Sequence, residues 1–553
     1  MAIIRVELRF VLSLPDQFLK MGKHKNSKKQ ERLASNITQA RTKDNSDHAG
    51  WFENIIYIFI ITILFISVYG YIFDKKLDLN GDNAYYYVLG KAISSGEGYV
   101  NIASINKGPN NHFPPGYPVI LSLFMHISDS TTFIKLLNGI FLLISLILIY
   151  YLIKSISGNN KITFITSFFL VLNVHLLQYG TMMMSEISFI LFSYSCLLLI
   201  LKADFDDNFF KKPNFYLILI TLVASYYIRS TGLALFGGVI LYLLLMKKWK
   251  VAVSIFTGFI ALALPWIIRG QRLGGSSYLK PLIMINPYRP ELGNADLADY
   301  FNRFFANVAR YITREIPNST FPFIKVNYIQ DISSLEWIIG LILLLVSVYG
   351  FYKFWQKGLL FICYILGTFG ILLFWPEVWR GVRFVLPVMP IILFSIIIGF
   401  YHLINQLLMN MNIKLKFNIL ILVLLGLFFI NPIKILHQKA KNEYPLSWKN
   451  YFRIAEYFKR ENIRDVVVIC RKPMLFHLKS GTYTATYMYS KDEKEMIDDL
   501  KSKKADYVVL DNLGYRQTYE YLYPVIQNNQ TIFPLVLSLT NPDTYLLKFT
   551  PEN

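Results

Sequence analysis

Residues Asp78 to Pro118 read DLNGDNAYYYVLGKAISSGEGYVNIASINKGPNNHFPPGYP and lie between one apolar segment and a long series of others. The stretch is too polar to cross a bilayer, which requires about 20 mostly apolar residues. It is also aromatic, with a Tyr85-Tyr86-Tyr87 run and a Pro114-Pro115-Gly116-Tyr117-Pro118 corner. Tyrosine and tryptophan collect at membrane surfaces. The stretch therefore predicts a structured loop that lies on the surface of a membrane protein.

The composition of the whole chain indicates a polytopic α-helical membrane protein. Of its 553 residues, 54% are hydrophobic and 17% are charged, against roughly 25% charged in soluble domains. The three cysteines form no disulfide framework. The apolar runs predict about 11 transmembrane helices, at residues 54–73, 131–154, 161–178, 186–202, 214–229, 232–247, 250–268, 335–355, 358–375, 384–404 and 417–432.

The positive charge is explained by membrane topology. Lysines sit in short clusters between the apolar runs, so we interpret the net charge of +20 as a sign of membrane topology and expect no nucleic acid partner. With the N-terminus inside, the cytoplasmic connections all carry lysine, at 154–161, 202–212, 247–250, 353–357 and 414–416. The apolar piece Val119–Ile127 is too short to cross and is predicted to be a juxtamembrane helix on the outer face. If it crossed, all five lysine clusters would face outward.

The topology predicts three parts in the chain. Residues 1–50 form a basic, disordered cytoplasmic arm in which Met21 is an alternative start, and no cleavable signal pattern is present. Residues 51–432 form the membrane domain, with a first outer loop at 74–130 and a large outer loop at 269–335. Residues 433–553 form a small soluble α/β domain outside the membrane, with strands at Asp465–Cys470, Ala505–Asp511 and Tyr545–Phe549 and a helix at Lys491–Lys504.

Six segments, in order along the predicted outer face, resemble the GT-C superfamily of integral membrane glycosyltransferases. The resemblance is closest to the family-39-like enzymes, namely the aminoarabinose lipid A transferases and the protein O-mannosyltransferases, and covers about residues 54–400. The segments are GDNAYYYVLGKAISSGEGYV, HFPPGYPVILSLF, MSEISFILF, IRSTGLAL, LPWIIRGQRLGG and VRFVLPVMPIIL. The chain departs from the pattern at Asp82-Asn83, where relatives often carry two acids, and at His112, where lipid A transferases tend to carry lysine.

This resemblance implies a polyprenyl-phosphate-sugar-dependent glycosyltransferase in the bacterial cytoplasmic (inner) membrane. Such an enzyme moves a hexosyl or pentosyl group from the lipid carrier to a hydroxyl at the outer leaflet. Its partners would be membrane lipids, the polyprenyl-phosphate-linked sugar and an acceptor. The motifs fix neither the sugar nor the acceptor, which is a lipid such as lipid A, a glycan or a protein.

The chemistry requires a carboxylate near the acceptor, and Asp82 is the predicted base. Its alternative role is to cap the helix that follows it. Glu186 is the second catalytic candidate, and its alternative role is a favourable charge at a helix N-terminus. No required cofactor is indicated, and a divalent cation is the open alternative. Asp78 and Asp82 are weak candidates for binding a divalent cation.

Cations must hold the phosphate of the donor. The candidates are Arg269 first, Arg383 second, and then Arg229, for each of which a simple anchor at the lipid headgroups is the alternative. Arg272 and Arg380 are expected to be peripheral, and Glu377 is a spare acid. Contacts with substrate are also assigned to His112, Tyr85 and Tyr86, although the tyrosines equally suit an interfacial aromatic belt.

Two other functions fit a polytopic protein of this kind. The first is a lipid or glycolipid transporter or flippase. Transporters commonly carry paired repeats and polar residues near the bilayer midplane, whereas here the charges collect at the outer surface and no half-to-half repeat is present. The second is an assembly factor that keeps the fold without activity.

Overall fold

A computed structural model describes residues 52–206, 209–275, 279–411 and 419–551. The predicted arm at 1–50 and the lysine connection at 414–416 lie outside these ranges. Residues 52–60 begin helix α1 (Phe52–Ile72), and all that follows concerns the unit Ile61–Asn553. Most of this unit is helical.

Apolar helices occupy the predicted spans. In the described residues, five helices are long and apolar enough to cross a membrane, and the count is six if the bent pair α5 (Asn160–Leu172) and α6 (Val174–Gly180) is one span. Shorter apolar helices fill the positions of three further spans, so the exact number of crossings stays a prediction. The remaining helices of this region are α4 (Thr131–Ser157), α7 (Ser185–Leu201), α8 (Pro213–Ile228), α9 (Gly232–Leu245), α10 (Trp249–Arg272), α14 (Ser334–Leu372), α15 (Met389–Asn410) and α16 (Ile419–Lys441).

Helix α14 covers the two spans predicted at 335–355 and 358–375. It consists of two helices that meet at a kink, where Phe354 has non-helical dihedral angles. No loop separates them, and the kink lies beside the predicted lysine cluster at 353–357.

Small residues bring the membrane helices into close contact. A Cβ atom built on Gly350 of α14 would lie 1.8 Å from the carbonyl oxygen of Ser395 in α15. One turn away, the hydroxyl groups of Ser347 and Ser395 are 2.6 Å apart. Close backbone approach and interhelical hydrogen bonds are the usual means by which helices associate in lipid.

The two outer loops contain helices of their own. The first outer loop forms α2 (Asp82–Ser94) and α3 (Gly116–Met125), which pack against each other. The predicted juxtamembrane helix at Val119–Ile127 corresponds to α3, and its 10 residues are too few to cross a bilayer. The large outer loop contains α11 (Leu279–Ile283), α12 (Leu297–Arg310), a π-helical turn at Tyr311–Glu315 and α13 (Ile316–Thr320).

The C-terminal part is a small α/β domain, as predicted. Its elements are α17 (Leu446–Arg460), β1 (Val467–Ile469), α18 (Pro473–Ser480), β2 (Tyr483–Ala485), α19 (Glu493–Ser502), β3 (Tyr507–Leu510), α20 (Tyr523–Asn528), β4 (Leu535–Leu539) and β5 (Thr544–Lys548). The strands lie in the order β2-β1-β3-β5-β4; β2 and β3 each run parallel to β1, β5 runs antiparallel to β3, and β4 runs antiparallel to β5. Apolar clusters cover both faces of the sheet.

This domain packs directly on the first outer loop. The hydroxyl of Tyr444 donates to the carbonyl of Leu77 at 2.9 Å, and the amide of Thr484 donates to the carbonyl of Ala103 at 2.7 Å. Ala84 of α2 is fully buried in the apolar cluster formed by α17, α18 and the sheet. The sheet domain and the loop therefore share one core.

Candidate active site

Two carboxylates and two arginines form one ion-pair network. Arg383 donates from Nη1 to Oδ2 of Asp82 at 2.9 Å and from Nε to Oε1 of Glu186. Arg229 donates from Nη1 to the same oxygen of Glu186 at 2.6 Å and to the hydroxyl of Ser185 at 3.0 Å. Glu186 is fully buried, whereas the Asp82 side chain is 32% exposed. Solvent therefore reaches the network at Asp82 but not at Glu186.

Helix ends bring these four side chains together. Asp82 is the first residue of α2 and Glu186 is the second residue of α7. Arg229 directly follows the last residue of α8, and Arg383 lies in the short 3-10 turn Val382–Phe384 before α15. Carboxylates are favoured in the first turn of a helix because the free N–H groups are there. The predicted outer-face residues therefore meet at one end of the helix bundle.

The geometry of Asp82 does not match that of a capping residue. Gly81 holds the capping position of α2 with φ of +99°, and no side chain forms a capping hydrogen bond there. Asp82 instead extends its carboxylate to Arg383, a residue 301 positions further along the chain. A position with this φ favours glycine. Gly81 therefore occupies the capping position, and the carboxylate of Asp82 binds Arg383 and is not used to cap the helix.

Arg269 forms a second cationic position, which is joined to helix α2 through Asn110, since Asn110 accepts from both Arg269 and Tyr85. Its Nη1 donates to the carbonyl of Asn110 at 2.8 Å, and its guanidinium lies over the rings of Trp266 at 5.0 Å and Tyr99 at 5.5 Å. Next to it opens a cleft of about 580 Å³ that is lined mainly by apolar residues of α10, together with Arg269 and Arg272. A cation held by rings and a carbonyl, beside an apolar cleft, suits a lipid with an anionic headgroup.

His112 and Tyr85 lie between Asp82 and Arg269. The ring of His112 stacks on that of Tyr85 with centroids 5.9 Å apart, and the hydroxyl of Tyr85 donates to Oδ1 of Asn110 at 2.9 Å. Loss of solvation lowers the pKa of His112, and the nearby charge of Asp82 partly opposes this shift. His112 is therefore mainly neutral at neutral pH and can both donate and accept a hydrogen bond.

The other two tyrosines of the run have different surroundings. Tyr86 is buried, and its hydroxyl lies 3.1 Å from that of Ser185, which accepts from Arg229. Tyr87 instead donates to the carbonyl of Asp129 at an exposed position. Tyr86 therefore contacts the ion-pair network, while Tyr87 lies on the surface.

The fold of this chain coincides with a known architecture. No protein-family model matches the chain, and no curated protein matches its sequence. The crystal structure of ArnT from Cupriavidus metallidurans bound to undecaprenyl phosphate superposes with a TM-score of 0.57 at 9% identity, covering 91% of this chain and 99% of that chain. The apo crystal structure of the same protein has a TM-score of 0.56 at 9% identity and the same coverage. The chain has the ArnT fold.

ArnT is an aminoarabinose lipid A transferase with a GT-C fold. The predicted resemblance is thereby confirmed at the level of the fold, including the small C-terminal sheet domain. At 9% identity the similarity establishes the architecture alone. The roles of Asp82, Glu186 and the arginines remain predictions from the geometry of this chain.

Residues of α12 support the site within this ArnT-like fold, and sequence reasoning missed them. Asn307 donates from Nδ2 to the carbonyls of Leu373 and Trp375, each at 2.9 Å. Arg310 donates to the carbonyl of Glu377 at 2.8 Å and pairs with Glu315 at 2.8 Å. These bonds fix the segment that leads to Arg383. The available signal was a polar residue every three or four positions, at Arg303, Asn307 and Arg310 of α12 and at Arg314 of the π-helical turn, all of which are buried.

Lys472 of the C-terminal domain also reaches the site and was not predicted. Its Nζ donates to the carbonyl of Asn80 at 2.9 Å, two residues before Asp82. Burial and the neighbouring Arg471 lower the pKa of Lys472 to about 8, while the charges of Asp82 and Asp78 oppose the shift. The local sequence carries no signal of this contact, because it depends on how the domain packs on the loop.

The remaining predicted candidates lie at the margin. Asp78 accepts a hydrogen bond from the amide of Asn80 at an exposed position. Arg380 is exposed and donates to the carbonyl of Tyr328 at 2.7 Å. Glu377 contributes its backbone carbonyl, which accepts from Arg310. Within the described ranges, no three or more His, Cys, Asp or Glu side chains group closely enough to hold a metal ion.

Proposed function

We propose that this chain is a GT-C-type glycosyltransferase that moves a sugar from a polyprenyl-phosphate carrier to a hydroxyl acceptor. The supporting observation is the accessible Asp82 carboxylate, held by Arg383, together with a ring-bound Arg269, within an ArnT-like fold. An ArnT crystal structure of that fold contains undecaprenyl phosphate. The acceptor is a lipid, glycan or protein hydroxyl.

Asp82 acts as the base in this proposal. Its carboxylate takes the proton of the acceptor hydroxyl as the acceptor oxygen forms a bond to C1 of the sugar. At the same time the bond between C1 and the phosphate oxygen breaks, and the electron pair leaves with the polyprenyl phosphate. A single displacement of this kind inverts the configuration at C1 and requires one carboxylate, in agreement with the single acid at Asp82-Asn83.

The cations stabilise the charge that develops on the leaving phosphate. Arg269 is the first candidate, because its guanidinium is positioned by two rings and a carbonyl before any substrate arrives. His112, neutral and adjacent, adds a hydrogen-bond donor. The apolar cleft beside Arg269 accommodates the first prenyl units of the carrier.

Glu186 has a positioning role in this proposal. It is fully buried and is bound by both Arg229 and Arg383, so it cannot reach a substrate. A buried carboxylate shared by two guanidinium groups fixes their orientation. Glu186 therefore holds Arg383, and Arg383 in turn holds Asp82.

We further propose that the protein lies in the bacterial cytoplasmic membrane with its N-terminus inside. The site, the large outer loop and the C-terminal domain then face outward. The lysine clusters between the spans support this orientation. The donor would reach the site from the outer leaflet.

The decisive experiment compares transfer by wild type and Asp82→Asn in isolated membranes. A panel of radiolabelled polyprenyl-phosphate sugars is supplied, with EDTA or with Mg²⁺, and labelled product is sought in lipid, glycan and protein fractions. We expect product from wild type and a loss of roughly a hundredfold in the variant, which is the contribution typical of a general base.

Asp129→Asn is the matched control, because Asp129 is a 56% exposed carboxylate of the same outer loop that pairs with Lys91 and lies outside the ion-pair network. Its transfer rate should equal that of wild type. Equal rates in Asp82→Asn and wild type would remove Asp82 from the chemistry. Absence of product with every donor, together with passage of the donor lipid across liposome bilayers, would replace the transferase with a flippase.

A further inference from the structure

The carboxyl edge of the C-terminal sheet carries a second group of charged residues. Strand β1 leads into Cys470-Arg471-Lys472 and strand β3 leads into Asp511. The two strands are parallel neighbours, so these residues lie at the same edge. Ligands of α/β proteins bind preferentially at this edge, and helix α18 begins directly after Lys472 with its N–H groups facing the same region.

Arg471 is held in a fixed orientation there. Its guanidinium lies over the ring of Tyr515 at 4.4 Å and that of Tyr489 at 5.6 Å, and it donates to Oε1 of Gln517 at 3.4 Å. Its Nε is buried and has no hydrogen-bond partner among the described residues. A planar guanidinium positioned by rings is suited to binding an anion in a defined geometry.

Asp511 faces Arg471 from the neighbouring strand. It is 3% exposed, and its Oδ1 accepts from the amide of Leu513 at 3.1 Å. Its Oδ2 is buried and has no partner within the described part of the chain. Burial raises the pKa of Asp511 to about 6, which the hydrogen bond from Leu513 and the charge of Arg471 partly oppose. An unpaired buried polar group costs roughly 1–3 kcal/mol, and a ligand that donates a hydrogen bond to Oδ2 would recover this free energy.

Lys472 joins this edge to the candidate active site. Its ammonium lies 4.8 Å from the ring centroid of Tyr515 and donates to the carbonyl of Asn80 beside Asp82. The group formed by Arg471, Lys472, Asp511, Tyr489 and Tyr515, called here the edge cluster, therefore lies against the first outer loop. The same domain also contacts the large outer loop, because the hydroxyl of Tyr521 donates to Oε2 of Glu291 at 3.2 Å.

We infer that the edge cluster binds the sugar portion of an anionic glycan acceptor and places its hydroxyl at Asp82. Arg471, Lys472 and the N-terminus of α18 would bind a phosphate or carboxylate group of the acceptor, while Asp511 accepts from its hydroxyls. A ligand with anionic groups alone would be repelled by Asp511, whereas a phosphorylated or carboxylated sugar carries both anion and donors. This inference rests on the proposed function, whose acceptor it narrows to one chemical class.

Binding of glucosamine 1-phosphate to the full-length protein in nanodiscs tests the inference, measured by ligand-observed NMR with glucosamine and inorganic phosphate as comparators. We expect the phosphosugar to bind wild type more tightly than either comparator. Arg471→Gln should weaken binding by roughly tenfold or more, since a charge-assisted hydrogen bond contributes about 1.5–3 kcal/mol. The control Arg516→Gln removes a 61% exposed arginine of the same domain and should bind as wild type does.

Asp511→Asn provides a second variant that preserves size, and its binding should also weaken. Equal binding by wild type, Arg471→Gln and Asp511→Asn would overturn the inference, and so would the absence of phosphosugar binding to wild type. The Asp82→Asn variant separates this inference from the proposed function. This variant should bind the phosphosugar as wild type does but should not transfer sugar. If wild type binds the phosphosugar but transfers no sugar, binding by the edge cluster is supported and the proposed transferase activity is refuted.

Discussion

At the scale of single residues, the site depends on one guanidinium that serves two carboxylates. Arg383 uses Nε for Glu186 and Nη1 for Asp82, so it fixes the catalytic candidate relative to a buried anchor. Lysine has the same charge but is a point donor without the planar fork. Arg383 is therefore required for the planar geometry of its guanidinium as well as for its charge.

Arg383→Lys should leave the protein folded and lower the transfer rate by roughly tenfold or more, because one ammonium cannot replace both hydrogen bonds. The donor KM should change less than kcat, since Asp82 is misplaced while Arg269 is retained. Steady-state transfer kinetics measure this split. Arg380→Lys, an exposed neighbour in the same segment, should behave as wild type, and a similar loss in both variants would contradict the role of Arg383.

Asp511 yields a prediction about stability. Its pKa in the folded protein is about 6 against an ordinary value of 3.8. The folded state therefore binds the proton more tightly than the unfolded state, and wild type gains stability as the pH falls from about 6 towards about 4. At pH 7.5 the buried charge is a net cost, so Asp511→Asn should raise the free energy of unfolding by up to about 3 kcal/mol.

Thermal unfolding of the full-length protein at pH 7.5 and pH 5 measures this effect. The stabilisation by Asp511→Asn should be largest at pH 7.5 and shrink at pH 5. The exposed Asp498→Asn in α19 is the control. Replacement of a functional residue often raises stability while it lowers activity or binding, so Asp511→Asn should be more stable at pH 7.5 and bind the phosphosugar less tightly. An unchanged or lower stability of Asp511→Asn at pH 7.5 would contradict the claim that the buried charge of Asp511 destabilises the folded protein.

At the scale of elements, sequence patterns predicted most helices because lipid imposes length and apolarity on them. The predicted segment at 131–154 corresponds to α4 (Thr131–Ser157), and the predicted strand at Ala505–Asp511 contains β3. Strands β2 and β4 were missed. β2 has only three residues, and β4 carries exposed side chains at an edge of the sheet. Neither therefore shows the alternation by which strands are recognised.

The contact between α14 and α15 predicts a strong effect of one added methyl group. A Cβ on Gly350 would lie 1.8 Å from the carbonyl oxygen of Ser395, so Gly350→Ala forces the helices apart. We expect a loss of about 1–3 kcal/mol, as for other overpacked positions, seen as a lower thermal midpoint in detergent. Gly370→Ala in the same helix meets nothing within 4 Å and should be neutral. Equal thermal midpoints for Gly350→Ala and Gly370→Ala would contradict the close contact between α14 and α15 at Gly350.

At the scale of the whole molecule, the sequence predicted that the site residues lie on one membrane face, but it did not predict which of them form ion pairs. The order of spans puts Asp82, Glu186, Arg229 and Arg383 at one membrane surface, which follows from counting crossings. Arg383 lies 301 positions after Asp82 and 197 positions after Glu186 in the chain. Its pairing with both carboxylates therefore depends on how the helices pack. The contacts of Lys472 and of the edge cluster were not predictable from the sequence, because they arise where the C-terminal sheet packs on the first outer loop.

Orientation in the membrane is the property of the whole molecule on which the proposed function depends. The donor sugar and the C-terminal domain must lie on the outer side if the lysine clusters face the cytoplasm. The three native cysteines, Cys196, Cys363 and Cys470, are all buried. Single introduced cysteines can therefore report which surface is accessible to a reagent that does not cross membranes.

Lys494→Cys places a thiol at an exposed position of α19, and Lys247→Cys places one in a predicted cytoplasmic connection, also exposed. A membrane-impermeant maleimide should label Lys494→Cys in spheroplasts, whereas Lys247→Cys should be labelled only after permeabilisation. Wild type is the control for the buried native thiols. The opposite pattern would place Asp82 on the cytoplasmic side. Polyprenyl-phosphate sugars in the outer leaflet could not reach it there, and the proposed reaction would fail whatever the chemistry of the site.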